Sequence, residues 1–292
     1  MQHKYMIIGF LFLLPAIVAY LIFMGYPLIR TFYLSTMRWN GFTSMTFIGM
    51  DNYKAVFQDR VFWAALRNTI YFAVFSAFFS VLIGVLLAWF IMYMRRREGQ
   101  VFRTILFSPS MIAPTITGLV FMFIFTEDIG LLNGFLRLIG LSEFTTAWLS
   151  NTSTVKPVIV IATVWRQFGL AMVLCFAGLQ GIPNELIESA KLDGASDTNI
   201  FTRILLPLIK PQIEIATMFT LLTGLRIYDS VVSLTAGGPA RYTVVLPMWI
   251  IENAFTYSAF GYASMMSVMF IFVVLAFIIL IRLAFRGERY EY

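Results

Sequence analysis

The chain has one histidine, one cysteine and little charge, and each scarcity removes a class of function. His3 stands alone near the N-terminus, so neither a zinc cluster nor a Ser-His-Asp triad can be assembled. Cys175 has no second cysteine to pair with, which excludes an intramolecular disulfide. No G-x-x-x-x-G-K-[ST] phosphate loop occurs anywhere, so the chain has no route of that kind to a nucleotide. Charged residues make up 12% of 292 positions, against about 25% in an average soluble domain. With 60% hydrophobic residues and 30 Phe, too little polar surface remains to coat a globule in water. The solvent must be largely lipid. The net charge of +6 does not point to nucleic acid, because the basic residues flank apolar runs, where they act as membrane orientation signals.

A helix needs roughly 20 apolar residues to cross about 30 Å of hydrocarbon. The sequence predicts six such helices, over residues 5–29, 68–94, 104–126, 157–180, 212–235 and 262–281, and shows no clear internal repeat. The fold class is therefore all-α integral membrane, with one transmembrane domain over residues 1–292. The first run is too long for a signal-peptide core, and no small-residue cleavage site follows it. Pro109 and Pro114 are expected to bend the third helix. Arg166 interrupts the fourth, and Glu214, Arg226 and Asp229 interrupt the fifth. Around Arg137, residues 131–141 place apolar groups at helical spacing, which suits a short helix that connects or lies on the membrane surface.

Excess Lys and Arg mark the cytoplasmic side. Arg95, Arg96, Arg97 and Arg103 crowd the connection after the second helix, and Arg282, Arg286 and Arg289 follow the sixth. Both termini and the long segment 181–211 therefore read as cytoplasmic. Arg38, Lys54, Arg60 and Arg67 run against this bias, because six crossings put them outside.

The segment 182–211 spells two short helices joined by a turn. Pro183 suits a first helical position, and Glu185 and Glu188 favour the positive N-terminal end. Gly194 can take the left-handed conformation that closes the first helix, and Ser196 can cap the second. The second helix is expected to stop near Leu206, before Pro207. Leu186, Ala190, Leu192 and Ala195 put small and apolar groups in a segment that should face water. Either the protein's own helix ends or a groove on a cytoplasmic partner must cover them.

Glu188, Ser189, Ala190, Asp193, Gly194 and Ala195, followed by Phe201, Ile204, Leu206, Pro207 and Pro211, resemble the E-A-A…D-G-A…I-x-L-P loop of ABC-importer permeases, with Ser189 where the family usually has Ala. Phe47, Gly49, Asp51, Asn52 and Tyr53 resemble the F-x-G-x-D-N-Y segment of its carbohydrate-uptake branch, and Asn68 and Thr69 the start of its second helix. Gly130 to Asn133 is similar to its G-L-L-N element, and Ala177 to Pro183 to its A-G-L-Q-x-I-P run. Tyr228, Asp229, Leu234, Thr235, Gly237, Gly238 and Pro239 resemble F-D-x…L-T-x-G-G-P, and Gly261 to Ser264 reads G-Y-A-S. The resemblance is to the maltose and glycerol-phosphate type of permease, on the larger-subunit side of an unlike pair. The resemblance implies the type I importer permease fold and a non-catalytic transport subunit in the bacterial inner membrane. It also implies a second permease subunit, an ATPase dimer that binds ATP and Mg, an extracytoplasmic solute-binding protein and a sugar cargo. It makes Glu188, Ser189, Ala190, Asp193, Gly194 and Ala195 the contact to the ATPase. The external turn at Gly237, Gly238 and Pro239 either touches the binding protein or is simply a tight loop.

Arg166, Gln167, Thr220, Thr223, Gly224 and Tyr228 are the candidates for a wet substrate path, because amides, hydroxyls and aromatic faces suit sugars. Alternatively Arg166 pairs with an acid such as Asp229, the threonines bond their own backbone, and Tyr228 only packs. An ion-coupled secondary transporter, a membrane enzyme, and an ABC permease for amino acids or phosphate are the competing functions. No metal ligands and no catalytic residues are assigned.

Overall fold

The computed structural model describes residues 2–286, so Arg289 lies outside the described residues. The chain opens with α1 (Gln2–Tyr20), a π-turn over Leu21–Gly25 and α2 (Tyr26–Ser35). A two-stranded antiparallel hairpin follows, β1 (Met37–Arg38) against β2 (Thr46–Phe47). Next come α3 (Asp51–Gln58), α4 (Arg60–Met92), α5 (Arg96–Phe107), α6 (Pro114–Phe125), α7 (Leu131–Leu138) and α8 (Val155–Gln180). The remainder forms α9 (Asn184–Leu192), α10 (Asp197–Ile200), α11 (Leu206–Leu208), α12 (Lys210–Leu225), α13 (Asp229–Thr235), α14 (Leu246–Ile251) and α15 (Phe260–Ala284).

In lipid, backbone polar groups must be satisfied within the segment, which makes helices the natural crossings here. Among the described residues, four helices are long and apolar enough to cross unbroken: Phe12–Ser35, Arg60–Met92, Val155–Gln180 and Phe260–Ala284. Two bent pairs raise the number to six, Arg96–Met111 with Pro114–Phe125 at 97° and Asp197–Leu208 with Lys210–Leu225 at 70°.

The bend expected at Pro109 and Pro114 is present, and the structure corrects three expected helix boundaries. The helix expected at 104–126 begins earlier and breaks at 112–113, between a 3-10 turn that holds Pro109 and a new helix that starts on Pro114. The helix expected at 212–235 also breaks: α12 ends at Leu225 and α13 restarts at Asp229, whose carboxylate sits at the positive end of the new helix. Finally, Pro207 does not end its helix. A π-turn over Phe201–Leu205 widens the coil just ahead of it, relieving the clash with the carbonyl four residues back, and the chain stays helical to Leu208.

The described chain divides into two compact units. The first comprises the chain up to Phe62 together with Trp249–Val273. Asp59 organises it. One carboxylate oxygen accepts from the Val61 and Phe62 amides at the start of α4; the other accepts from Trp249 Nε1 at 3.0 Å and Tyr262 Oη at 2.9 Å. Asn52 Nδ2 donates to the carbonyls of Ser35 and Met37, and Tyr53 shares a 2.8 Å hydrogen bond with Ser35. Within Phe12–Ser35, the most apolar window has 0% of its residues buried.

The second unit comprises Trp63–Met248 and the chain from Val274 on. One cluster packs Ala88, Met172, Cys175 and Leu179 against Ile187, Ile200, Phe201 and Leu205. Another joins Phe72, Phe121, Phe125, Ile159, Val231 and Leu234. Helices in lipid gain little from hiding apolar surface, so close fit and buried hydrogen bonds decide which faces meet. Asn68 supplies such bonds: its Nδ2 donates to the carbonyls of Tyr242 at 2.9 Å and Val244 at 2.8 Å. Beside it, the Leu246 amide donates to Thr69 Oγ1.

Candidate functional site

The break between α12 and α13 opens a cavity of about 420 Å3. Arg166 and Gln167 reach it from α8, Thr223 from α12, and Arg226, Tyr228 and Asp229 from the break and the helix that follows. Thus Arg166, Gln167, Thr223 and Tyr228 are brought together. Thr220 and Gly224 are not. Thr220 is buried, with its hydroxyl donating to the Ala216 carbonyl at 2.8 Å. Gly224 faces α4, where a Cβ would stand 2.7 Å from Ala73 Cα, so its role is to let two helices touch. Thr223 also bonds the carbonyl one turn back, that of Phe219, as the alternative reading of the threonines had it.

Arg166 and Asp229 line the same cavity without forming an ion pair within 4.0 Å. Arg166 Nε and both amide atoms of Gln167 are buried and bonded to no protein group. On insertion scales a charge at mid-bilayer costs about 2.5–3.5 kcal/mol. These groups line the cavity with no protein partner for their hydrogen bonds.

The segment after α8 is built in two faces. Ile187 is buried in the cluster with Ile200, Phe201 and Leu205, and Ala190 and Ala195 pack against that cluster. Trp89 stacks on Phe201 with ring centroids 4.2 Å apart. The opposite face is bare: Leu192 is 89% exposed and Leu186 41%, with Glu188 and Ser189 also exposed. The protein's own helices therefore cover the alanines and leave the leucines uncovered. The turn is fixed by the Gly194 amide donating to the Lys191 carbonyl and the Ala195 amide to the Ala190 carbonyl, the paired bonds of a Schellman cap. Gly194 has φ +79°, and Ser196 caps α10 by accepting from the Asn199 amide. A Cβ at Gly194 would meet nothing within 4 Å, so a substituent there strains the turn and clashes with nothing in this chain.

The turn after α13 is tightly bonded. Thr243 Oγ1 donates to the Gly238 carbonyl at 2.6 Å, and the Thr243 amide donates to the Gly237 carbonyl. Thr235 and Thr243 share a 2.9 Å hydrogen bond, and Lys156 Nζ lies 4.0 Å from the centre of the Tyr242 ring. Gly237, Gly238 and Pro239 thus sit on a rigid loop held to α4 through Asn68.

Sequence reasoning missed Phe219 and Leu222 as cavity walls. The available signal was spacing: Phe219 precedes Thr223, and Leu222 precedes Arg226, by four residues, one helical turn.

The family described as binding-protein-dependent transport system inner membrane component matches residues 80–289. The chain is 36% identical over 278 residues to the probable ABC transporter permease protein YurN of Bacillus subtilis (strain 168), covering 94% of this chain and 95% of that protein. It is 31% identical to the lactose transport system permease protein LacF of Rhizobium radiobacter, covering 94% and 92%. One solved structure, a bacterial alginate ABC transporter in complex with an alginate pentasaccharide-bound periplasmic protein, has a chain that superposes with a TM-score of 0.85 at 24% identity, covering 98% of this chain and 96% of that one. That likeness shows the type I ABC importer permease fold.

Proposed function

The chain belongs to the family of binding-protein-dependent transport system inner membrane components, and from that premise we propose that it is one permease subunit of an ATP-driven saccharide importer. It forms one transmembrane domain that receives a saccharide from an extracytoplasmic binding protein and passes it inward. It pairs with a second, unlike permease subunit. ATP and Mg are bound by a separate ATPase dimer. Saccharide as the cargo class is supported by LacF, which is named for lactose, and by the mixture of guanidinium, amide, hydroxyl and phenol around the α12–α13 break. Both termini and the loop 182–211 are cytoplasmic in this reading, with Arg95, Arg96, Arg97 and Arg103 on the same side. Gly237, Gly238 and Pro239 face the binding protein.

The observation that carries the reading is the divided surface of α9. A nine-residue helix cannot hold itself together in water. Its inner face is anchored by Ile187, while Leu192 projects with nothing to cover it. A groove on the ATPase would cover Leu186 and Leu192 and meet Glu188, Ser189 and Asp193, and the rigid cap at Gly194 and Ala195 would carry the ATPase's closure into α8 and α12.

The test is Gly194→Asp in the complete assembly, reconstituted with its ATPase and binding protein. The complex should assemble and hydrolyse ATP, while uptake falls at least tenfold, because a side chain at φ +79° disturbs the cap and adds a third carboxylate beside Glu188 and Asp193 on the docking face. Wild-type uptake by this variant would remove the coupling role. Wild-type uptake that persists without ATP and depends on an ion gradient would replace the importer with a secondary transporter.

A further inference from the structure

One stripe of α12 serves two cavities. Pro211, Glu214, Met218, Leu222 and Arg226 recur every three or four residues, which places them along one face. Leu222 and Arg226 line the cavity of about 420 Å3 already described. Pro211, Glu214, Met218 and Leu222 line a second one, of about 710 Å3, completed by Arg282, Phe285 and Arg286 at the end of α15. Phe219 and Leu222 belong to both. The stripe is therefore polar at each end and apolar where the cavities meet.

The second cavity has the chemistry of a sugar site. Glu214 offers a carboxylate that accepts from hydroxyls, and Arg282 and Arg286 offer guanidinium donors. None of the three forms an ion pair with another within 4.0 Å. Phe219 and Phe285 supply ring faces for the apolar side of a pyranose. Ligand pockets run from about 300 to 1,000 Å3, and this volume falls inside that range. Charges at the edge of a bilayer need water or a partner, and a path for a hydrated solute provides it.

We propose that this second cavity is a saccharide station on the inner side of the path, separated from the first by a septum of Phe219 and Leu222. The proposal rests on the saccharide-importer reading and on the orientation adopted there. Sugar held among Arg166, Gln167 and Asp229 must pass the two apolar side chains before Glu214 and the two arginines receive it. The septum blocks back-flow, and the inner station draws the sugar past it.

The test uses the complete assembly in proteoliposomes, with radiolabelled lactose, maltose and diacetylchitobiose as probes. The probe that the wild-type assembly accumulates with ATP is carried forward. With Glu214→Gln or Arg282→Gln, maximal uptake should fall about tenfold, the effect of losing one charge-assisted hydrogen bond. The concentration of loaded binding protein that gives half-maximal uptake should not change. With Phe219→Ala and Leu222→Ala together, sugar loaded inside the vesicles should escape without ATP at least ten times faster than from wild type, since the desolvation barrier is gone. Wild-type behaviour of all these variants overturns the proposal. So does an Arg282→Gln defect that appears in phosphatidylglycerol vesicles and vanishes in phosphatidylcholine, which would assign the cavity to a lipid headgroup. If the wild type accumulates none of the probes with ATP, the saccharide reading itself falls, and the station with it.

Discussion

Three asparagines show why single residues matter in this chain. Asn52, Asn68 and Asn133 each donate from one Nδ2 to two backbone carbonyls: Ser35 and Met37, Tyr242 and Val244, Glu127 and Thr146. Each lies in a stretch that the sequence comparison with permeases picked out, yet none touches the cavities. Their work is to satisfy carbonyls at irregular backbone, where the helical ladder is interrupted and unpaired groups are costly. Asn68→Leu would leave two carbonyls without their partner, at about 1–3 kcal/mol for a buried unsatisfied group. Asn68→Asp should be no better, because a carboxylate cannot donate. Both variants should lower the Tm of the purified complex by several degrees; an unchanged Tm in Asn68→Asp would show that shape and not donation holds the turn.

At the scale of elements, α9 is the clearest case of a helix with two unlike faces, one packed in the chain's own core and one left bare. Burying an exposed leucine is worth about 1.5–3 kcal/mol. Leu192→Asp should therefore leave permease levels in the membrane unchanged and cut ATPase retention on co-purification by roughly tenfold or more. Ile187→Asp should lower the amount of folded permease instead, because Ile187 sits in the protein's own core. Equal ATPase retention by Leu192→Asp and wild type would remove the docking face.

Much of this element was legible beforehand. The glycine for a left-handed turn and the serine for a cap are local chemistry, and Gly194 and Ser196 adopt those roles. The same local reasoning failed at Pro207, because a π-turn five residues long absorbs the proline's clash and no side chain announces it. It failed again at 226–228, where Arg226 and Asp229 interrupt the apolar run but no glycine or proline marks the point at which the helix stops. For the site, charge in an apolar run pointed to Arg166, whereas Asp229 entered only as its possible ion-pair partner and lines the same cavity. Residue type alone could not separate Thr223, beside the cavity, from Thr220, turned into the core. Rotation of a helix about its axis is set by its neighbours, here by Gly224 against Ala73.

At the scale of the whole molecule, the number of crossings decides which surfaces share a side of the membrane. Between Phe42 and Leu192 the unbroken spans are α4 and α8. Two crossings would put both residues on the same side. If the bent pair Arg96–Met111 and Pro114–Phe125 also crosses, the number is three and they lie on opposite sides. Phe42 is 88% exposed and Leu192 89%, so a cysteine at either position is open to reagent. The chain's own Cys175 is buried in the core and can be replaced by Ala first, at about 1 kcal/mol for the small volume lost. In that background, a membrane-impermeant maleimide should label Phe42→Cys in intact cells and Leu192→Cys only in inverted vesicles. Labelling of both from the same side would mean that the 97° pair re-enters without crossing. That result would put α9 on the outer side with the hairpin, where no cytoplasmic ATPase could reach it.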